Sequence, residues 1–213
     1  MSESVKKANA VKLKTVAKNM ENRNFEAVCC ETAAEACEKA LALIPGGASV
    51  GLGGSVTVRE IGLLAKLKSR EDVTVLEASA PPSPAEAFAH FQKTLATDVF
   101  LMSANAVTMD GELVNIDGTG NRLAALLMGP KEVIIIAGVN KIVESADCAV
   151  ARIRTDACPP NAIRLNKKTS CALVGKCVEC LFSETMCCHT VVTRYNRIDG
   201  RVKVILVNEN LGY

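Results

Sequence analysis

Val133-Ile134-Ile135-Ile136-Ala137 is the stretch that most restricts what this chain can become. Four consecutive β-branched residues, set between Gly129-Pro130 and Gly138, read as a buried β-strand. Segments of alternating type surround it. Residues 4–23 carry Val5, Ala8, Val16 and Met20 at helical spacing, with lysines on the other face. Residues 25–29 read as a strand. Thr32 then caps a helix over 33–43, with Glu35 at capping-box spacing. Residues 50–52 read as a strand, 57–67 as a helix and 73–76 as a strand. Residues 79–84 read as a loop, 85–94 as a helix and 98–103 as a strand. Asp110-Gly111 marks a short hairpin, and 121–128 reads as a helix. Strands alternating with helices at this spacing predict an α/β domain with an open, mostly parallel sheet.

After about residue 156 the pattern changes. Periodicity fades and cysteines accumulate, until two strands at 190–195 and 202–207 close the chain around Asp199-Gly200 as a last hairpin. The organisation expected is one domain over 1–213, with a cysteine-rich, metal-binding insertion at 157–189.

Composition removes several function classes. The 213 residues are 49% hydrophobic and 23% charged, which excludes wholesale disorder. Aromatics are 3% with no Trp, so stacking on single-stranded nucleic acid is disfavoured. The net charge of +2 comes from mixed signs with no basic block, and asks for no polyanionic partner. The apolar runs are too short to span a membrane. The lysine-rich start lacks the apolar core of a secretory signal. A cytoplasmic protein is expected, with its thiols reduced.

Ten cysteines need an explanation, and five lie within 18 residues as C-x5-C-x2-C-x6-C-C. Cys177 and Cys180 form a CxxC, which presents two thiolates from one turn. Cys171 and Cys187 complete four ligands, with Cys188 as a substitute. Four thiolates hold either a structural zinc or a [4Fe–4S] cluster. Zinc sites more often use two CxxC knuckles, so the unequal gaps favour iron–sulfur. Free thiols or a redox pair are the plain alternative.

Two loops have the composition of ligand cradles. Gly53, Gly54, Ser55 and Thr57 join a strand to a helix, where free backbone N–H groups and hydroxyls can hold an anion. The loop lacks the ending of a Walker A sequence and the spacing of a dinucleotide fingerprint. Asn105, Asp117, Gly118, Thr119 and Arg122 lie in a second polar group at strand ends, where open α/β sheets bind ligands. Arg122 can grip a carboxylate or phosphate with two parallel bonds. Tight turns and helix caps would use the same residue types. With His90 and His189 the only histidines, a histidine-based mechanism has little support.

The segments VGLGGSVTVREIG, SANAVTMDGELVNIDGTGNRLAALLMGPKEVIIIAGVNKIV, PPNAIRL and GKCVEC together resemble the LUD-domain family, the lactate-utilization proteins, over nearly the whole chain. The resemblance implies the open α/β fold of ribose-5-phosphate isomerase and the CoA transferases. The cysteine-rich segment and the ending VILVNENLGY resemble one branch, which implies an iron–sulfur cluster on Cys171, Cys177, Cys180 and Cys187. That branch implies redox metabolism of lactate or a similar small organic acid within a multi-protein oxidation system. The partners implied are a small anionic metabolite and redox proteins, with a homo-oligomer also compatible. SANAVTMDGELVNIDGT is also similar to the GAD…NG…NKIGT pattern of methylthioribose-1-phosphate isomerases. Asn105 stands at the position of their acid–base aspartate and Ile116 at that of their lysine, so isomerase activity is not carried over. The rival readings are an isomerase or transferase for a phosphosugar or CoA-type ligand with a structural zinc, and a non-catalytic binding subunit.

Overall fold

The computed structural model describes residues 2–77 and 83–213. Helix α1 (Glu3–Glu21) buries Leu13, Val16, Ala17 and Met20 and leaves its lysines exposed. Strand β1 (Glu26–Cys30) leads to α2 (Ala33–Ala42). The Glu35 N–H donates to Thr32 Oγ1 at 3.2 Å, and the Glu35 carboxylate accepts from the Glu31 N–H at 2.8 Å. The expected capping box therefore forms, with its return bond reaching one residue further back. Strand β2 (Ser49–Leu52) precedes α3 (Val56–Glu60) and α4 (Leu63–Lys68). The single helix expected over 57–67 is two, because Gly62 takes a φ of 76° and turns the chain between them.

Strand β3 (Thr74–Glu77) follows, then α5 (Pro84–Leu95) and β4 (Val99–Met102). The loop expected at 79–84 falls mostly outside the described residues. Strands β5 (Ala106–Thr108) and β6 (Leu113–Asp117) form the expected hairpin over Asp110-Gly111. Helix α6 (Asn121–Met128), β7 (Glu132–Gly138) and the short β8 (Ile142–Val143) come next. Helix α7 (Ala146–Arg152) widens into a π-helical turn at Ile153–Ala157 before α8 (Cys158–Arg164). Pro159 and Pro160 lack the N–H groups that would continue a regular ladder, which accounts for the widening. The chain ends with α9 (Ser170–Val174), β9 (His189–Thr193) and β10 (Val202–Val207).

The described strands form two sheets. The larger has the order β1-β10-β7-β4-β2-β3 with parallel pairings throughout. The smaller has the order β8-β5-β6-β9. Strand β7 is buried on both faces: Ile134 and Ile136 join one apolar cluster with Leu52, Leu63, Leu67 and Leu101. Val133 and Ile135 join another with Leu13, Val16, Met20 and Phe100. A strand covered on both sides needs no polar face, which is why its sequence is an unbroken apolar run. A third cluster under the small sheet gathers Ala106, Val114, Ile116, Ala149, Ile153, Cys158 and Cys171.

The last two strands are not a hairpin. Strand β10 inserts between β1 and β7, whereas β9 pairs antiparallel with β6 in the other sheet. Their side chains account for the separation. Val204 and Leu206 face one core cluster while Ile205 and Val207 face the other, so β10 suits only the interior of a two-faced sheet. Strand β9 alternates exposed with half-buried residues and suits an edge. The hairpin turn of β5–β6 packs closely on α1. Gly111 has a φ of 83°, and a Cβ there would stand 2.6 Å from the Met20 backbone nitrogen. Gly111→Ala is expected to cost about 1–3 kcal/mol, read as a lower urea midpoint with an unchanged slope; an unshifted midpoint would contradict this packing.

Candidate functional site

Strand β2 pairs with β3 on one side and β4 on the other, so the chain reverses its direction across the sheet at that point. The carboxyl ends of strands beside such a reversal form the crevice where open α/β sheets bind ligands. Gly53 to Thr57 leave the end of β2, Ser103 to Asn105 the end of β4, and Val139 to Lys141 the end of β7.

Arg122, from the first turn of α6, is the centre of the second loop group. Its Nε and Nη2 donate to Asp117 Oδ1 at 3.0 and 2.7 Å. Nη2 also donates to Asn105 Oδ1 at 2.8 Å and to the Ile116 carbonyl at 3.0 Å. Nη1 donates to the Ser103 carbonyl at 3.1 Å and to Asn115 Oδ1 at 3.3 Å. The guanidinium is thus committed to the protein itself, and acts as a tie between sheets. Asp117 meanwhile accepts the Leu123 N–H on Oδ2 at 3.2 Å, capping α6. Asn105 Oδ1 also accepts from the Ile116 N–H at 3.1 Å, so the position of the isomerases' acid–base group is here a fixed acceptor.

Lys141 is the residue that sequence reasoning missed. It is 3% exposed, and its Nζ donates to Thr57 Oγ1 at 3.0 Å and to Ser103 Oγ at 2.8 Å. Burial, then the charges of Arg152 and Arg122, lower its pKa to about 7, with Glu60 acting the other way. Its place just after the C-terminal end of an apolar strand was the available signal. Residues 211–212 lie over it. A Cβ on Gly212 would stand 2.5 Å from Thr57 Oγ1 and 3.5 Å from Lys141 Nζ. The Gly212 N–H donates to Glu60, and the Asn140 side chain bonds the backbone of Leu211 and Gly212.

The remaining expected residues divide. Ser55 Oγ accepts the Val58 N–H and caps α3, which is the turn role. Gly54 lies beside the Arg164 guanidinium, 3.7 Å from where its Cβ would be. Gly53 is buried with open space at its Cβ direction. Gly118 packs against the backbone of Met186 in the cysteine segment, and Thr119 is exposed on the same turn.

In that segment Cys158 Sγ stands 3.4 Å from Cys187 Sγ. The thiol hydrogen bond between them raises Cys158 and lowers Cys187, the latter helped by Arg154. Cys171 and Cys177 lie near enough to act electrostatically on Cys158. Cys180 Sγ instead faces Thr185 Oγ1 at 3.6 Å, and Cys188 is exposed with its thiol on the Thr185 carbonyl. The structure therefore sets Cys187 against Cys158, which spacing alone had left aside, with Cys171 and Cys177 within electrostatic reach. Among the described residues no three His, Cys, Asp or Glu side chains stand close enough to share one metal ion. Glu179, between the CxxC cysteines, has a φ of 53° and pairs with Arg154 at 2.8 Å.

A parallel α/β sheet with a polar crevice at its carboxyl edge and a thiol-rich segment beside it defines the class. The profile of the LUD domain family matches residues 13–207, and the chain belongs to that family. The crystal structure of a DUF162 family protein from Deinococcus radiodurans is similar in fold, with a TM-score of 0.54 at 14% identity over 93% of this chain and 98% of that one. Among proteins with curated descriptions, none matches. No described helix is long and apolar enough to cross a membrane.

The lowered Lys141 has a consequence for stability. Between pH 7 and about 10.4 the unfolded chain holds a proton on this amine that the folded chain does not, so this group makes stability rise with pH. Lys141→Met is therefore expected to lose stability relative to wild type as pH rises from 7 to 10. Urea unfolding of both proteins at pH 7, 8.5 and 10 reads this difference, and a pH-independent offset would refute the lowered pKa.

Proposed function

We propose that this chain is an iron–sulfur LUD protein acting in redox metabolism of lactate or a similar small organic acid, as a cytoplasmic component of a multi-protein oxidation system. The observation that carries the cluster is the gathering of thiols beneath the small sheet, where Cys158 and Cys187 are in contact and Cys171 and Cys177 stand within electrostatic reach. The donor set fits. Soft thiolates are the ligands of such clusters. Arg154 supplies positive charge beside Cys177 and Cys187.

Cys171, Cys177, Cys180 and Cys187 would hold the cluster, which supplies one-electron chemistry when bound. Cys180, which stands against Thr185 Oγ1, would complete the set, and Cys158 would stay beside Cys187 as a hydrogen-bond donor to its sulfur. Leu173, Val174, Val178 and Leu181 are exposed around the same cysteines. Apolar side chains left in water there suit contact with a redox partner protein.

Anaerobic purification tests the reading. The protein should be brown, with about four irons and matching labile sulfide per chain; stoichiometric zinc without iron would overturn it. Cys177→Ser and Cys180→Ser should each lose most of the iron and loosen the C-terminal segment, since binding energy here is also folding energy. Cys158→Ser should keep its iron and shift the cluster's reduction potential, because it removes only a donor to a ligand sulfur. Full iron in both Cys177→Ser and Cys180→Ser would contradict the ligand set.

A further inference from the structure

We propose that the end of β4 is an oxyanion-binding site, where Lys141, Arg152 and the Asn115 amide take the carboxylate or phosphoryl group of a small metabolite. The argument starts from charge. Three cationic side chains converge on the three residues 103–105. Lys141 Nζ bonds the Ser103 hydroxyl, Arg122 bonds the Ser103 carbonyl and the Asn105 side chain, and Arg152 Nη1 bonds the Asn105 carbonyl at 2.6 Å. Of the three, Arg122 has a close carboxylate in Asp117. Lys141 has two hydroxyls as its described partners. Arg152 has Asp156 at 4.0 Å, on an exposed side chain. Buried charge without a matching counter-charge is expensive, and an anion held here would supply the counter-charge.

Unsatisfied donors point the same way. Arg152 Nε and Asn115 Nδ2 are buried with no hydrogen-bond partner among the described residues. The orientation of the Asn115 amide is set, because its Oδ1 already accepts from the Asn105 N–H at 3.1 Å and from Arg122. Its NH₂ group therefore offers protons with no acceptor in hydrogen-bond reach, and Arg152 Nε has the Asp156 carboxylate no closer than 4.0 Å. A donor left bare in this way costs stability. Amide and guanidinium donors without hydrogen-bond acceptors, beside a buried amine, suit a group rich in oxygen and negative charge. The site gains affinity by protonating Lys141, whose surrounding charged groups are Arg122, Arg152 and Glu60.

The choice of probes rests on the small-acid reading above, but the site stands apart from the cluster. The anaerobically purified full chain is titrated by calorimetry at pH 7 and constant ionic strength with oxalate, L-lactate, pyruvate and inorganic phosphate. At least one probe should bind saturably with one site per chain. Lys141→Met and Arg152→Gln should each weaken that binding tenfold or more, while Lys131→Gln, an equal charge change at the opposite edge of the sheet, should not. If one variant fails to fold by circular dichroism, the other decides. Binding of phosphate alone sustains the site and overturns the small-acid reading. Absence of saturable binding by every probe, with the visible spectrum of the cluster intact, overturns the site and leaves the cluster reading standing. Weakening of less than tenfold in the folded variants also overturns it.

Discussion

Arg122 holds the crevice together, and the consequences of that one guanidinium extend through the molecule. Its donors reach the end of β4 through Ser103, the β5–β6 hairpin through Asn115, Ile116 and Asp117, and the connecting turn through Asn105. Both sheets are fastened at this point by charge-assisted hydrogen bonds that are largely out of water. Asp117 pairs with Arg122 and caps α6, and its described partners do not include the other two cations. The excess of positive charge at the crevice follows from how this tie is made.

Much of the fold is legible because it depends on local chemistry. The Thr32 cap, the Asp110-Gly111 turn and the unbroken apolar run of β7 each state their conformation within a few residues. What escapes a sequence reading is long-range. Strands β9 and β10 are neighbours along the chain and belong to different sheets, a separation set by which faces they bury. Gly62 breaks a helix whose apolar spacing continues on both sides. At the crevice, Arg122 and Asp117 are visible as chemistry, but the direction of the guanidinium depends on acceptors as far away as residue 103. Lys141 looks like any surface lysine until the hydroxyls of Thr57 and Ser103, 84 and 38 residues distant, close on it. Cys158 is set apart by 29 residues from Cys187, which it touches.

The crevice and the cysteine segment share a backbone. Strand β9 pairs with β6 along its whole length, ending with His189 opposite Asp117, and the Cys188 N–H donates to the Asp117 carbonyl at 3.0 Å. Asp117 thus faces Arg122 with its side chain and the cysteines with its main chain. Any rearrangement of the segment that displaced β9 would pass to the Arg122 tie through that single residue, and the coupling would act equally in the other direction.

The position of β10 also bears on how the molecule is made. The strand that separates β1 from β7 is the last one in this chain, and β1, at residues 26–30, pairs with no other strand of its described sheet. During synthesis β1 leaves the ribosome early and waits for residues 202–207 before its hydrogen bonds can be filled. Until then the β1 strand edge is unpaired, and an open strand edge is a place where chains adhere to one another. The hydrogen bonds of β1 thus depend on a strand more than 170 residues further along the chain.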